Sequence, residues 1–436
     1  MHHAGQGLVR MGLGFYRLVT RGALPVLLAH GLWQRLCGRA SRGALSDRMA
    51  RGTGMRPTGK VLWLHGASNG ELTSVRWLVA RLIAETPELS LIITCNTETA
   101  RGMVRGWGLP RVCAQLAPFD LPGPVARFLA RWRPDALLIV ENELWPERLA
   151  QASAMAPVLL IGARMSQRSA RGWARFAPGL MRGMLESLSL VSAQDTASEA
   201  RLLALGLPGA RMLPALMLKS RAAMAQVAAG GGVPALATTG FPPRARCLLA
   251  ASTHAGEDAP ILDAFAQARA AGVFDLLILA PRHPRRAPDI AALIAARGLA
   301  FATRSAGEPP GPQTVVYLAD TLGEMRQWYA RAGATVIGGT LQDHGGHTPF
   351  EPAAHGSAIV HGPHVANFAE SFAALDTAGA ALAVGCGTSL GPALITLGPD
   401  QQSRLATAAQ AVLLPEGDEA ALIVAIHGAM GMTTGR

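Results

Sequence analysis

From residue 57 onward, short and almost wholly apolar runs alternate with segments of helical period, and this alternation limits the folds open to the chain. "KVLWLHGAS", "SLIITCNT", "DALLIVENE", "PVLLIGAR" and "LSLVSAQD" are each followed by a helix-period segment. Strands without a polar alternation are buried on both faces, which is the signature of a parallel α/β sheet. The pattern stops over 222–245, "AAMAQVAAGGGVPALATTGFPPRA", where Gly, Ala, Thr and Pro predict a linker. It restarts with "RCLLAAST", "LLILAPRHP", "LAFATRS", "TVVYLAD", "ATVIGGTL" and "AIVHGPH". The spacing predicts two Rossmann-like, doubly wound α/β domains, 57–221 and 246–436, facing each other across a cleft. Ligands of such sheets sit beyond the carboxyl ends of the strands, so residues just after each strand are the candidates.

Composition narrows the function classes. Of 436 residues, 40 are Lys or Arg against 29 Asp or Glu, a net charge of +11. That balance favours an anionic partner. Yet only Lys60 and Lys219 are lysines, so part of the basicity reflects a bias towards arginine and makes each lysine conspicuous. The five cysteines are scattered, with no C-x-x-C and no zinc spacing, which fits a reduced compartment without disulfides or structural zinc.

Residues 1–50 read as a separate segment. "GLVRMGLGFYRLVTRGALPVLLAHGLWQRLCGRASR" mixes apolar residues with arginines, and its longest uncharged run, Gly22 to Gln34, has 13 residues. A spanning helix needs about 20. The segment therefore predicts a basic amphipathic helix lying in the interface of an anionic leaflet, ahead of an ordinary packed helix and of a signal peptide or a span.

Several strand-end residues carry chemistry. Glu71 follows "LHGASNG" in the first turn of a predicted helix, where the dipole favours a carboxylate by about 0.3–1 kcal/mol. The same group, pointing into a cleft, would take a proton from an attacking hydroxyl. Glu141 and Glu143 in "VENELWPERL" would share a face if the strand ran that far, and Pro146 suits the start of the next helix. Lys219, in "PALMLKSR", is either a surface charge or part of a site wanting a compact ammonium. Pro281 and Arg282 end the strand in "LLILAPRHP", and Arg282 suits a phosphate. Thr321-x-x-Glu324 has the spacing of a capping box, with the N–H groups of Leu322, Gly323 and Glu324 exposed at a helix start. In "GGTLQDHGGHTPFEPAAHG" the glycines permit close backbone approach, and Glu351 suits ribose hydroxyls. His344, His347, His355, His361 and His364 crowd this region, but their spacing fits no closed metal site.

Seven blocks in order, "LHGASNGE", "ENELWP", "ARMSQRSARGWAR", "ASTHAGE", "LILAPRHP", "DTLGEM" and "GGHTPFEPAAHG…GPH…NF", resemble the 3-deoxy-D-manno-octulosonic acid (Kdo) transferases of lipopolysaccharide synthesis over about residues 57–370. The resemblance implies a GT-B glycosyltransferase, acceptor domain first and donor domain second, moving Kdo from CMP-Kdo to a phosphorylated lipid A precursor at the cytoplasmic face of the inner membrane. It implies Glu71 as catalytic base, and Glu141 and Lys219 as transition-state stabilisers. It implies CMP contacts at Pro281, Arg282, Leu322, Gly323, Glu324, Thr348, Pro349, Phe350 and Glu351, with no metal, no cofactor and no nucleic acid. The sequence departs from the family pattern at Thr348, where asparagine is usual, at Asn69, where valine is usual, and at Ser220-Arg221, which replace Phe-Asp after Lys219.

Two other readings compete: a GT-B enzyme that uses a UDP-sugar, and a catalytically silent membrane-associated protein on this fold. A dinucleotide oxidoreductase is disfavoured, because neither half has G-x-G-x-x-G after its first strand.

Overall fold

The computed structural model describes residues 2–37, 41, 43–52, 54–228, 240–385, 389–414 and 419–432. The chain forms two compact units. The first runs to Leu218 and also takes the helix Glu419–Ala429; the second begins at Lys219.

The first unit is built on a seven-stranded sheet: β1 (Lys60–His65), β2 (Leu89–Cys95), β3 (Val112–Leu116), β4 (Ala136–Val140), β5 (Val158–Ala163), β6 (Leu190–Ala193) and β7 (Met212–Leu213). Its order is β3-β2-β1-β4-β5-β6-β7, with parallel pairing throughout. Val61 to Leu64 are fully buried, because helices cover both faces. Each such side chain contributes about 1.5–3 kcal/mol relative to exposure. The order reverses between β1 and β4, so the crevice beyond their carboxyl ends is the switch point where ligands of this topology bind.

The second unit has another parallel seven-stranded sheet: β8 (Cys247–Thr253), β9 (Leu276–Pro281), β10 (Phe301–Thr303), β11 (Val316–Leu318), β12 (Ala334–Ile337), β13 (Ala358–His361) and β14 (Leu382–Ala383). The order is β10-β11-β9-β8-β12-β13-β14, and its switch point lies between β8 and β12.

Three strands escape the apolar-run reading: β3, β7 and β14. All are sheet edges. An edge strand is covered less completely and is short, so "VCAQL" and the two-residue β7 and β14 carry no continuous apolar run. The last helix was expected with the second half, since it follows the second set of strands. Instead its Leu422, Ile423 and Ile426 enter the first unit's core beside Leu78 and Leu82. The expected linker begins as a helix, Leu218–Ala228, while 229–239 lie outside the described residues.

The N-terminal segment is one 35-residue helix, His2–Leu36, continuing through Pro25. Its inner face meets the first unit: the Tyr16 hydroxyl donates to Asp120 at 2.8 Å, and Arg17 pairs with the fully buried Glu147 at 2.7 Å. Among the described residues no helix is long and apolar enough to cross a membrane.

Candidate active site

The first unit's switch point gathers three carboxylates. Glu71 stands in the first turn of the helix Asn69–Glu85, which begins directly beyond β1. Ser68 is the N-cap, and its Oγ accepts from Glu71 N at 3.3 Å. The Glu71 carboxylate reaches back, accepting from Ala67 N at 2.6 Å and from the Ser68 hydroxyl at 3.2 Å. Serine followed three residues on by glutamate is a capping-box pattern, so the residue has a structural role as well. Burial nonetheless pushes its pKa up to about 7, against the Ala67 hydrogen bond, and the nearby charges of Glu141 and Glu143 add to the rise. A half-buried carboxyl titrating near neutrality is suited to act as a base at cellular pH.

Glu141 and Glu143 lie beyond the strand, so the shared face that a longer β4 would give them does not arise. The strand β4 stops at Val140, and Glu141 adopts φ 58°, the left-handed region that a residue with a Cβ enters at about 1–3 kcal/mol. Glu143 Oε2 accepts from His65 Nε2 at 3.3 Å, Asn96 Nδ2 at 3.2 Å and Trp145 Nε1 at 2.7 Å. Burial raises its pKa, but these donors outweigh it and hold the group down at about 2. His65, fully enclosed at the end of β1, is pushed down to about 4 by burial and by Arg148, so it is neutral at pH 7. The same crevice therefore holds one carboxylate fixed as an anion and one that titrates. Pro146 opens the helix Pro146–Ala152 as the sequence indicates.

His65, Asn96 and Trp145 were not singled out from the sequence. Their weak signal is position: His65 and Asn96 end or follow strands, and Trp145 precedes a helix-opening proline.

In the second unit, Pro281 ends β9 and Arg282 is exposed just beyond it, its N–H donating to Thr253 O at 3.0 Å. The loop after β8 is tied to the loop after β12 by Glu257. Its Oε2 accepts from His254 N and Gly339 N, both at 2.8 Å, and its Oε1 accepts from Leu341 N at 3.0 Å. Ser252, beside the bulge in β8, also has φ 58°. Backbone outliers thus mark both switch points. A Cβ on Gly338 would meet Ser252 O at 2.2 Å and Ala251 O at 2.5 Å, so only glycine fits there. Gly338→Ala is expected to cost about 1–3 kcal/mol, as overpacking does, and a denaturant melt of the variant checks it.

The turn at 321–324 departs from expectation. The helix begins at Met325, with Glu324 as its N-cap and no side-chain capping bond, so there is no capping box on Thr321. The Thr321 hydroxyl and Arg304 instead hold the Glu324 carboxylate, the guanidinium at 2.7 Å, which lowers its pKa. Leu322 is exposed and Gly323 takes φ 85° in this turn. Thr348 Oγ1 accepts from Phe350 N at 3.3 Å, and Pro349 is the N-cap of the helix Phe350–Ala354. Phe350 is buried; Glu351 is in the first turn, its carboxyl raised by burial while a hydrogen bond from Tyr329 opposes that.

The histidines do not form one cluster. His254 stacks on His344 with centroids 4.1 Å apart, and its Nε2 lies 2.9 Å from His347 Nε2. His361 pairs with Asp376 and His355 stacks on Tyr329. Among the described residues no group of three or more His, Cys, Asp and Glu side chains is arranged to hold a metal ion. Lys219 is half-buried rather than a surface charge, in the first turn of Leu218–Ala228, with Nζ 5.6 Å from the Phe368 ring centroid.

A family profile described as 3-deoxy-D-manno-octulosonic-acid transferase (kdotransferase) matches residues 42–221. The chain is 36% identical over 387 residues to the 3-deoxy-D-manno-octulosonic acid transferase of Bordetella pertussis, covering 85% of this chain and 88% of that one. It is 32% identical over 317 residues to the Haemophilus influenzae protein of the same name, covering 72% and 74%. The fold is similar to that of UDP-GlcNAc 2-epimerase from Neisseria meningitidis, with TM-score 0.55 and 12% identity over 81% of this chain and 98% of the other. The chain thus belongs to the Kdo transferase family, as a glycosyltransferase of the GT-B fold.

Proposed function

We propose that the chain transfers Kdo from CMP-Kdo to a hydroxyl of a phosphorylated lipid A precursor, at the cytoplasmic face of the inner membrane. In this reading the first unit binds the acceptor and the second binds the donor. The observation that carries it is the Glu71 carboxyl at the first sheet's switch point, with its pKa raised to about 7. The Glu71 carboxylate takes the proton of the acceptor hydroxyl as that oxygen bonds to the anomeric carbon of Kdo. The bond from that carbon to the CMP phosphate breaks, and CMP leaves with the electron pair. Glu141 offsets positive charge developing on the sugar, as a carboxylate does in glycosyl transfer. Lys219 offsets the negative charge growing on the leaving phosphate. Arg282, the backbone of Leu322 and Gly323, and residues 348–351 contact CMP, with Glu324 and Glu351 held in place by Arg304 and Tyr329.

The test is direct. Purified protein is incubated with a lipid A precursor and either CMP-Kdo or a set of UDP-sugars, and the products are weighed. A mass gain of one or more Kdo units from CMP-Kdo alone is expected; a gain from a UDP-sugar instead overturns the donor assignment.

The pKa of the base sets a pH dependence. Glu71 acts as a base only when ionised, so kcat/KM should fall about tenfold per pH unit on the acid side of about pH 7. A profile flat from pH 5 to 8 removes Glu71 from the role.

A further inference from the structure

Three loops at the carboxyl end of the second sheet bring together imidazoles that the proposed transfer leaves without a role. His254 follows β8, His283 follows β9, and His344 and His347 lie in the loop after β12. His254 and His347 are half-buried, and their Nε2 atoms lie 2.9 Å apart. Their ring centroids are 5.1 Å apart and their planes within 10° of parallel. Because the nitrogens are closer than the ring centres, the two rings meet end to end through Nε2. Such a contact holds one proton. One Nε2–H donates and the other Nε2 accepts, so the tautomer of each ring sets that of the other. A metal ion in line between the nitrogens would need about 2.0 Å to each, so a proton fits there and a metal does not.

The charges around the pair are mostly of one sign. Burial, then His254, Arg282, His344 and His283, push His347 down to about 4. Burial, His344, His283 and Arg286 lower His254 against the pull of Glu257. Glu257 is a poor counter-ion for the rings, because its oxygens already accept from His254 N, Gly339 N and Leu341 N. Asp343, on the same loop as His347, lies beside His364 at 3.7 Å. Arg286 is held by Asp258 and by Thr253 O at 2.9 Å, whereas Arg282 is exposed. The pair is therefore neutral at pH 7 and stands among cations.

An oxyanion seated beside Arg282 reverses the local sign. One added proton then makes both outer Nδ1 atoms donors, and a hydrogen bond from a cation to an oxyanion is the strong kind. A half-buried imidazolium is costly without its counter-ion, so proton uptake and anion binding strengthen each other.

We propose that the His254–His347 pair is an oxyanion subsite of the second unit, which works with Arg282 and takes up one proton as the anion seats. The subsite rests on the reading that Arg282 meets the donor. That donor carries two such anions, the phosphate of CMP and the carboxylate of Kdo, and the pair suits either.

The experiment is calorimetric titration of the full chain at pH 7 with cytidine, CMP and CMP-Kdo. Each is run in two buffers of different ionisation heat, which counts the protons taken up. His254→Gln and His347→Gln are compared with the parent, because glutamine keeps a hydrogen-bonding end and does not titrate. The difference between parent and variant cancels the titration of the ligand itself. With CMP the parent is expected to take up about one proton more than either variant; an excess seen with CMP-Kdo alone assigns the anion to the carboxylate. Both variants should bind that ligand about tenfold weaker. The double variant should lose no more than a single one, since the two rings act as a unit. Cytidine, which carries no anion, should bind all forms alike, and this shows that the variants keep the site. Equal proton counts in parent and variants for both anionic ligands overturn the subsite. An equal loss of cytidine and CMP affinity also overturns it, because that marks a purely structural role. A parent that binds neither CMP nor CMP-Kdo removes the donor reading and this subsite with it, whereas binding with unchanged proton counts removes the subsite alone.

Discussion

Glu71→Gln is expected to lower Kdo transfer by about 10²–10⁴-fold, the usual contribution of a positioned general base, in a protein that stays folded. Glutamine is isosteric and serves equally in a capping box: its amide oxygen still accepts from Ala67 N, and its amide nitrogen donates to the Ser68 hydroxyl instead of accepting from it. The loss should appear in kcat, since the amide still occupies the carboxylate's space. A second signature concerns stability. The folded-state pKa of Glu71 lies above its ordinary value, so the folded state binds more protons than the unfolded one between about 4.5 and 7. The stability this group contributes is fully present below its ordinary value and is lost as pH rises through about 7. The variant lacks that titration. Its melting temperature relative to the parent should therefore rise from pH 5 to pH 8. Full transfer activity in a folded Glu71→Gln protein ends the proposed mechanism.

Glu141→Gly separates function from strain. Transfer is expected to fall about 10²–10³-fold, the scale on which a lost electrostatic stabiliser acts. Stability is expected to hold or rise. Glycine enters the left-handed region freely, which recovers about 1–3 kcal/mol of strain, against about 0.5–1 kcal/mol of added backbone entropy. A further consequence follows for the base. The Glu141 charge helps raise Glu71, so removing it moves the acid limb of the kcat/KM profile to lower pH. Thermal melts and pH–rate profiles on the same preparation check all three. A variant that is less stable and equally active means that Glu141 serves the fold alone.

These effects rest on features of unequal visibility in the sequence. The central strands were plain, because a strand buried on both faces admits little but apolar residues, as in "LLILAP" and "ALLIV". Glu71 was legible for a related reason: a strand, a small-residue turn and a capping serine place the residue three positions on in the first helical turn. Arg148 was not. Its neighbours Glu147 and Leu149 give no sign that a guanidinium there loses all but 2% of its exposure and, among the described residues, lacks hydrogen-bond partners for two of its nitrogens. Thr321-x-x-Glu324 has the spacing of a cap, yet Arg304 lies close enough to take the carboxylate elsewhere. A side-chain partner 20 residues away overrides a local preference worth about 1 kcal/mol.

By itself, then, the sequence determined the class of sheet, its division in two, and the strand ends that carry chemistry, because burial on both faces and helix capping act over a few neighbouring residues. The tertiary structure alone decided the strand order. That order brings β1 beside β4, so that the charges of Glu141 and Glu143 act on Glu71 although they lie far along the chain from it. It also decided the left-handed turn at Glu141 and the return of the last helix to the first unit. Each of these depends on which surfaces meet, and a contact between distant segments leaves no period in the chain to be read.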